Sequence, residues 1–105
     1  MVRGEVFRLR VPRATRGSEQ RGACYAVVVQ ADELLTLSTV LVSPTSTAAP
    51  PRSFRPTIDL QGSATRVLVE QTTAVSRERL GESIGRLSSA ELRELDTALA
   101  LVFGL

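Results

Sequence analysis

The groups that could do chemistry in this chain are unusual in kind: thirteen arginines, one cysteine and many serines and threonines, with no histidine and no lysine among 105 residues. Without histidine, neither a Ser-His-Asp nor a Cys-His nucleophile can be assembled, and a two-histidine acid–base pair is equally excluded. The lone Cys24 closes no internal disulfide and has no histidine with which to begin a zinc cluster, so no metal or other cofactor is expected. Arginine, hydroxyl, tyrosine, thiol and carboxylate groups are left to carry any reaction. Guanidinium forks match phosphate oxygens two at a time, which makes an anionic substrate the natural candidate.

Charge is distributed to suit that reading. Residues 1 to 55 hold eight arginines against four acids, a net charge of +4, whereas residues 56 to 105 hold five against seven, a net of −2. The bland reading of arginine in place of lysine is a GC-rich genome favouring arginine codons. It does not explain why the cations gather in one half, and such a gathering marks an anion or nucleic-acid surface, with ordinary solvated ion pairs as the competing account.

These side chains must be held by short elements. Glu5 to Val11 alternates, with Phe7, Leu9 and Val11 on one side and Val6, Arg8 and Arg10 on the other, and predicts a half-buried strand ended by Pro12. Residues 13 to 22 predict a loop carrying Arg13, Arg16, Glu19 and Arg21, bounded by Gly17 and Gly22. Cys24 to Gln30 is a continuous apolar run and predicts a central strand buried on both faces. A single turn at Asp32 to Thr36 leads to a third strand, Ser38 to Ser43. Pro44 to Arg52 predicts a stiff hydroxyl- and proline-rich loop. Two strands, Phe54 to Leu60 and Thr65 to Glu70, flank a turn at Gln61-Gly62-Ser63, and a sixth strand spans Ser83 to Leu87.

The chain closes with a helix. Ser88 and Glu91 have capping-box spacing, Leu92, Leu95, Leu99, Val102 and Phe103 form the apolar stripe, and Gly104 marks the stop. Five or six short strands plus this helix predict a mainly β (α+β) fold, a small bent barrel forming one domain over residues 1–105. No apolar run approaches the roughly 20 residues of a bilayer crossing, and Met1 to Glu5 lacks the apolar core of a signal peptide; the reading is a cytoplasmic chain with no membrane partner.

The order of Arg-Gly-Glu-Val, the loop Arg16-Gly17-Ser18-Glu19-Gln20, the strand Ala26-Val27-Val28-Val29, Val42-Ser43-Pro44-Thr45-Ser46, Val69-Glu70-Gln71 and Ile84-Gly85-Arg86-Leu87-Ser88 resembles the MazF/PemK toxins over nearly the whole chain. The resemblance implies an SH3-like barrel, a homodimer, metal-independent cleavage of single-stranded RNA at short sequences, and neutralisation by a MazE-like antitoxin through its acidic C-terminal segment. The expected reaction is attack of a ribose 2′-hydroxyl on the adjacent phosphate, leaving a 2′,3′-cyclic phosphate. Such chemistry needs no histidine, because the nucleophile belongs to the RNA and the protein holds the phosphate and stabilises its charge.

One departure stands out. The family follows its loop glycine with x-Arg-Pro and uses that arginine in catalysis, whereas Gly22-Ala23-Cys24-Tyr25-Ala26 sets Cys24 and Tyr25 at those places. A thiol does not replace a permanent cation. Arg21 becomes the first candidate for the missing charge, with Arg16 and Arg13 behind it. Counting from Pro44, Ser46 takes the place of the family's catalytic hydroxyl, flanked by Thr45 and Thr47. The resemblance further suggests RNA contacts at Glu19, Gln20, Tyr25, Arg52, Arg55 and Gln71. Loss of the arginine also keeps two other functions open: a CcdB-like toxin that binds DNA gyrase, and a homologue that only binds RNA or antitoxin.

Overall fold

A computed structural model describes residues 1–10 and 24–105. Among them the order is β1 (Glu5–Leu9), β2 (Tyr25–Val28), β3 (Thr39–Ser46), β4 (Thr57–Leu60), β5 (Ser63–Val67), β6 (Thr73–Ser76), β7 (Leu80–Arg86) and α1 (Ser89–Phe103), with 3-10 turns at Asp32–Leu34, Val69–Gln71 and Arg77–Arg79. The strands join in the order β4-β5-β3-β2-β1-β7, and β6 adds to β3. All pairings are antiparallel. The β1–β7 ladder slips register on both sides of Phe7, which bends the sheet toward closure.

Strand β2 is the axis of the fold. Ala26 and Val28 pack with Phe7, Val40, Val42, Val75 and Leu80 on one face, while Val27 packs with Val6, Ile58, Val67, Val69 and Leu95 on the other. Each buried valine contributes about 1.5 kcal/mol or more, so this continuous run is the main reason the sheet forms around β2. The expected half-buried β1 is corrected at one position: Val6 is only 1% exposed, because α1 covers the face on which Arg8 further along meets water.

The helix begins and ends on the predicted signals. Ser88 Oγ accepts from Glu91 N–H and the Glu91 carboxylate accepts from Ser88 N–H, while Gly104 takes the left-handed conformation at φ 73°. Leu95 and Ala98 are buried, with Leu92, Leu99 and Val102 partly so. Phe103, expected in the apolar stripe, is 59% exposed, while its neighbour Val102 still packs against the core.

The helix is pinned at its start by Gly4, whose φ of 91° suits glycine and whose added Cβ would lie 2.8 Å from Leu92 Cδ2. Gly4→Ala is therefore expected to cost about 1–2 kcal/mol and to lower the melting temperature by roughly 5–10 °C in a thermal melt.

Two expectations about β3 and its neighbours are corrected. Pro44, Thr45 and Ser46 belong to the strand and not to the following loop. Proline is tolerated there because β3 changes partner at that point: it pairs with β6 through Val42 and with β5 from Thr45 onward. The nitrogen without a hydrogen falls in the gap between the two ladders, while the Pro44 carbonyl still accepts from Leu68 N–H at 2.8 Å. The span Thr65 to Glu70 is likewise divided. Strand β5 ends at Val67, a 3-10 turn covers Val69–Gln71, and β6 follows as a strand the periodicity did not separate. Thr72 holds this corner, its hydroxyl 2.7 Å from both Val69 O and Ser43 Oγ. The preceding strand begins at Thr57 instead of Phe54, and the last begins at Leu80, before Ser83.

Candidate functional site

The end of β3 is where hydroxyl groups converge. Tyr25, Thr45, Ser46 and Thr47 line a cavity of about 380 Å³, whose opposite wall comes from Gln61 and Thr65 in the β4–β5 hairpin. That hairpin turns at Gln61 and Gly62 with φ of 52° and 87°, the both-positive geometry of a type I′ turn. Asp59 Oδ1 accepts from Gly62 N–H at 2.9 Å and steadies it.

The hydroxyls are not equivalent. Thr45 Oγ1 donates to the Tyr25 carbonyl at 3.0 Å, so its hydrogen is committed to joining β3 to β2. Ser46 Oγ accepts from Ala48 N–H at 3.1 Å and from Ala49 N–H at 3.0 Å. An oxygen that accepts two N–H groups is left with its hydrogen as the group it offers, so Ser46 is set up as a donor. The same contacts show that this residue also shapes the start of the loop, as serine commonly does.

Tyr25 is half-buried against the core and is among the residues lining the cavity. Cys24 is half-buried with a free thiol, and its carbonyl accepts from Leu9 N–H at 2.7 Å. The β2–β3 register pairs Ala26 with Pro44; extended by two residues, it sets Cys24 opposite Ser46. On the other side of β3, Ser46 pairs with Arg66 of β5, a residue the sequence reading passed over. Alternation along Thr65, Arg66 and Val67 marks Arg66 as pointing away from the core. Its register partner is Ser46, while on this strand the cavity is lined by Ser63 and Thr65, so Arg66 stands outside the cavity lining.

The remaining candidates divide. Arg52 and Arg55 line a separate groove of about 580 Å³ between the Pro51–Thr57 segment and the Arg93 and Glu94 face of α1. Arg52 Nη1 donates to Pro51 O at 2.8 Å. Arg55 is engaged through Nε and Nη2 with Glu70 Oε2, at 2.9 and 2.7 Å, and lies 5.4 Å from the Phe54 ring centre. Gln71 is exposed at the end of the neighbouring 3-10 turn, next to Glu70. Arg13, Arg16, Glu19, Gln20 and Arg21 lie outside the described residues. Among the described residues no group of three His, Cys, Asp or Glu side chains gathers to hold a metal, and no helix is long and apolar enough to cross a membrane.

The hydrogen bonds from Arg55 hold the Glu70 carboxyl below its ordinary value of 4.5. A carboxyl lowered in the folded state contributes stability above its unfolded pKa and loses it as pH falls through the folded one. The melting-temperature gap between wild type and Glu70→Gln is expected to be present at neutral pH and to close as the pH falls below the ordinary carboxylate range. The pair is partly solvated, so the gap corresponds to under about 1 kcal/mol and shrinks with added salt.

The fold is thus a bent antiparallel sheet with one helix packed across it and a hydroxyl-lined cavity at the end of its longest strand, the class of small β-barrels. Residues 2–103 match the family described as PemK-like, MazF-like toxins of type II toxin–antitoxin systems, and the chain belongs to that family. A Mycobacterium tuberculosis protein with a toxin designation is 37% identical over 106 residues, covering 100% of this chain and 99% of the relative. The endoribonuclease MazF9 of the same organism is 35% identical over 112 residues, covering 96% and 94%. Among solved structures, a mycobacterial endoribonuclease in complex with its cognate antitoxin superposes with a TM-score of 0.82 at 18% identity, covering 100% of this chain and 96% of that one. MazF of Deinococcus radiodurans gives 0.77 at 21% identity, covering 100% and 97%.

Proposed function

We propose that this chain is the endoribonuclease toxin of a type II toxin–antitoxin pair, cutting single-stranded RNA at the surface around Ser46. The observation that carries the reading is the Ser46 hydroxyl, whose oxygen accepts from two backbone amides, in a family that includes a relative named as an endoribonuclease at 35% identity. In the proposed reaction the ribose 2′-oxygen loses its proton and attacks the adjacent phosphorus. The bond to the 5′-oxygen breaks, that oxygen takes a proton, and the products end in a 2′,3′-cyclic phosphate and a 5′-hydroxyl. Ser46 donates to a non-bridging oxygen as charge builds there, and Arg21 of the loop supplies the cation. No step is routed through a metal.

The reading extends to partners. A homodimer is proposed, and the exposed Leu101, Phe103 and Leu105 at the end of α1 supply apolar surface for an assembly contact. A MazE-like antitoxin is proposed to lay an acidic C-terminal segment against the basic half of the molecule, in the cytoplasm, with growth inhibition following when the antitoxin is lost.

The test is incubation of purified protein with total RNA in EDTA, mapping of new 5′ ends and identification of their chemistry, beside Arg21→Ala. Cleavage at a short fixed motif leaving 5′-hydroxyl ends, reduced in the variant, supports the reading. Folded protein that cuts no RNA overturns it, and gyrase-dependent DNA breaks would then favour the CcdB-like alternative.

A further inference from the structure

Arg66 is the charged residue in register with Ser46. The two are direct partners across the β3–β5 ladder, so their side chains leave the sheet on the same face with Cβ atoms about 5 Å apart. Its immediate neighbours along the strand, Thr65 and Val67, are buried on the opposite face at 2% and 0% exposure. Arg66 is half-buried, and its Nε is shielded from water with no hydrogen-bond partner among the described residues. It takes no part in the ion pairs among the described residues, whereas Arg3 and Arg55 are each paired with a carboxylate at 2.7 Å.

A shielded Nε without a partner is costly to the fold, and since it is closed to water it is equally closed to an incoming oxygen, so the half-buried guanidinium meets an arriving acceptor only through its terminal Nη groups. The acceptor that suits a planar guanidinium beside a hydroxyl donor is a tetrahedral oxyanion, whose oxygens can be shared between the two. We propose that Arg66 is a phosphate-contacting residue of the RNA site, holding a phosphodiester between its guanidinium and the Ser46 hydroxyl. The assignment rests on the nuclease reading above, yet binding tests it separately from cleavage.

The decisive variant is Arg66→Met, which keeps the aliphatic stem and removes the unsatisfied nitrogen, with Arg66→Gln as a second uncharged replacement and Arg66→Lys to restore charge without the fork. Three quantities are read: melting temperature, cleavage of total RNA in EDTA, and binding of a labelled randomised 2′-O-methyl RNA 20-mer across a salt series. Arg66→Met is expected to melt at or above wild type while losing about 100-fold in cleavage. The slope of log affinity against log salt is expected to fall by about 0.7, one phosphate contact on a single strand, and to return in Arg66→Lys. A merely structural role would lower the melting temperature and leave the slope alone, and that result overturns the proposal. So does wild-type cleavage and slope in both uncharged variants. If wild type binds the 20-mer but cuts nothing, the nuclease reading fails and the slope alone judges Arg66. If wild type does neither, both readings fall.

Discussion

Ser46→Ala should lower the rate of RNA cleavage about 100-fold while leaving the protein folded, and Ser46→Thr should recover most of that loss. The first figure is the cost of removing one preorganised donor from a site where charge develops. The contacts of Ser46 explain why the loss should fall on rate. With Oγ accepting from Ala48 and Ala49, its hydrogen is directed by the loop before substrate arrives, so no reorganisation is needed at the moment of reaction. Alanine also frees two exposed or partly exposed amides at the loop start. That costs about 1 kcal/mol, because water replaces much of what is lost. A rate loss above tenfold with a melting temperature within about 5 °C of wild type separates the catalytic contribution from the structural one. An unchanged rate would reduce Ser46 to a loop cap.

The largest effect on stability is expected at Leu95→Ala, about 3 kcal/mol and roughly 15 °C in melting temperature. Leu95 is fully buried where α1 meets the sheet, in contact with a cluster containing Val6, Val27, Ile58, Val67 and Val69. These side chains come from the strands that form both halves of the sheet, so a cavity here cannot be closed by moving one element. Leu99→Ala, at a partly buried place on the same face, should cost less. A calorimetric melt of the three proteins checks the ranking, and equal losses at the two positions would mean that the helix docks less tightly than described.

Much of the fold was legible because its signals are local. The doubly apolar run at β2, the capping box at Ser88 and the left-handed Gly104 each declare themselves within a few residues. The errors share another cause: they concern places where a partner strand decides the outcome. Pro44 looks like a strand terminator until β3 is seen to exchange β6 for β5 beside it. β6, Thr73–Ser76, is short and mostly exposed, and it exists because Thr39 to Val42 offer an edge to pair with. The site was legible to the same degree. Ser46 could be placed by counting from a proline within a recognised pattern, whereas Arg66 is twenty residues away and gains its meaning from cross-strand register. Arg52 and Arg55, which the resemblance suggests as RNA contacts, line a second groove, where Arg55 engages Glu70.

The double allegiance of β3 has a consequence for how such a chain can change length over evolution. Residues 39 to 42 answer to β6, residues 42 to 44 to β2, and residues 45 and 46 to β5. Adding or deleting one residue between these ladders would slip one against the other, so that either Val40 and Val42 leave the core or Ser46 leaves its face. Along this stretch a change of length costs least in the segment after Ser46, which runs on beyond the paired residues. The strand acts as a ruler of fixed length, with room to vary past its end.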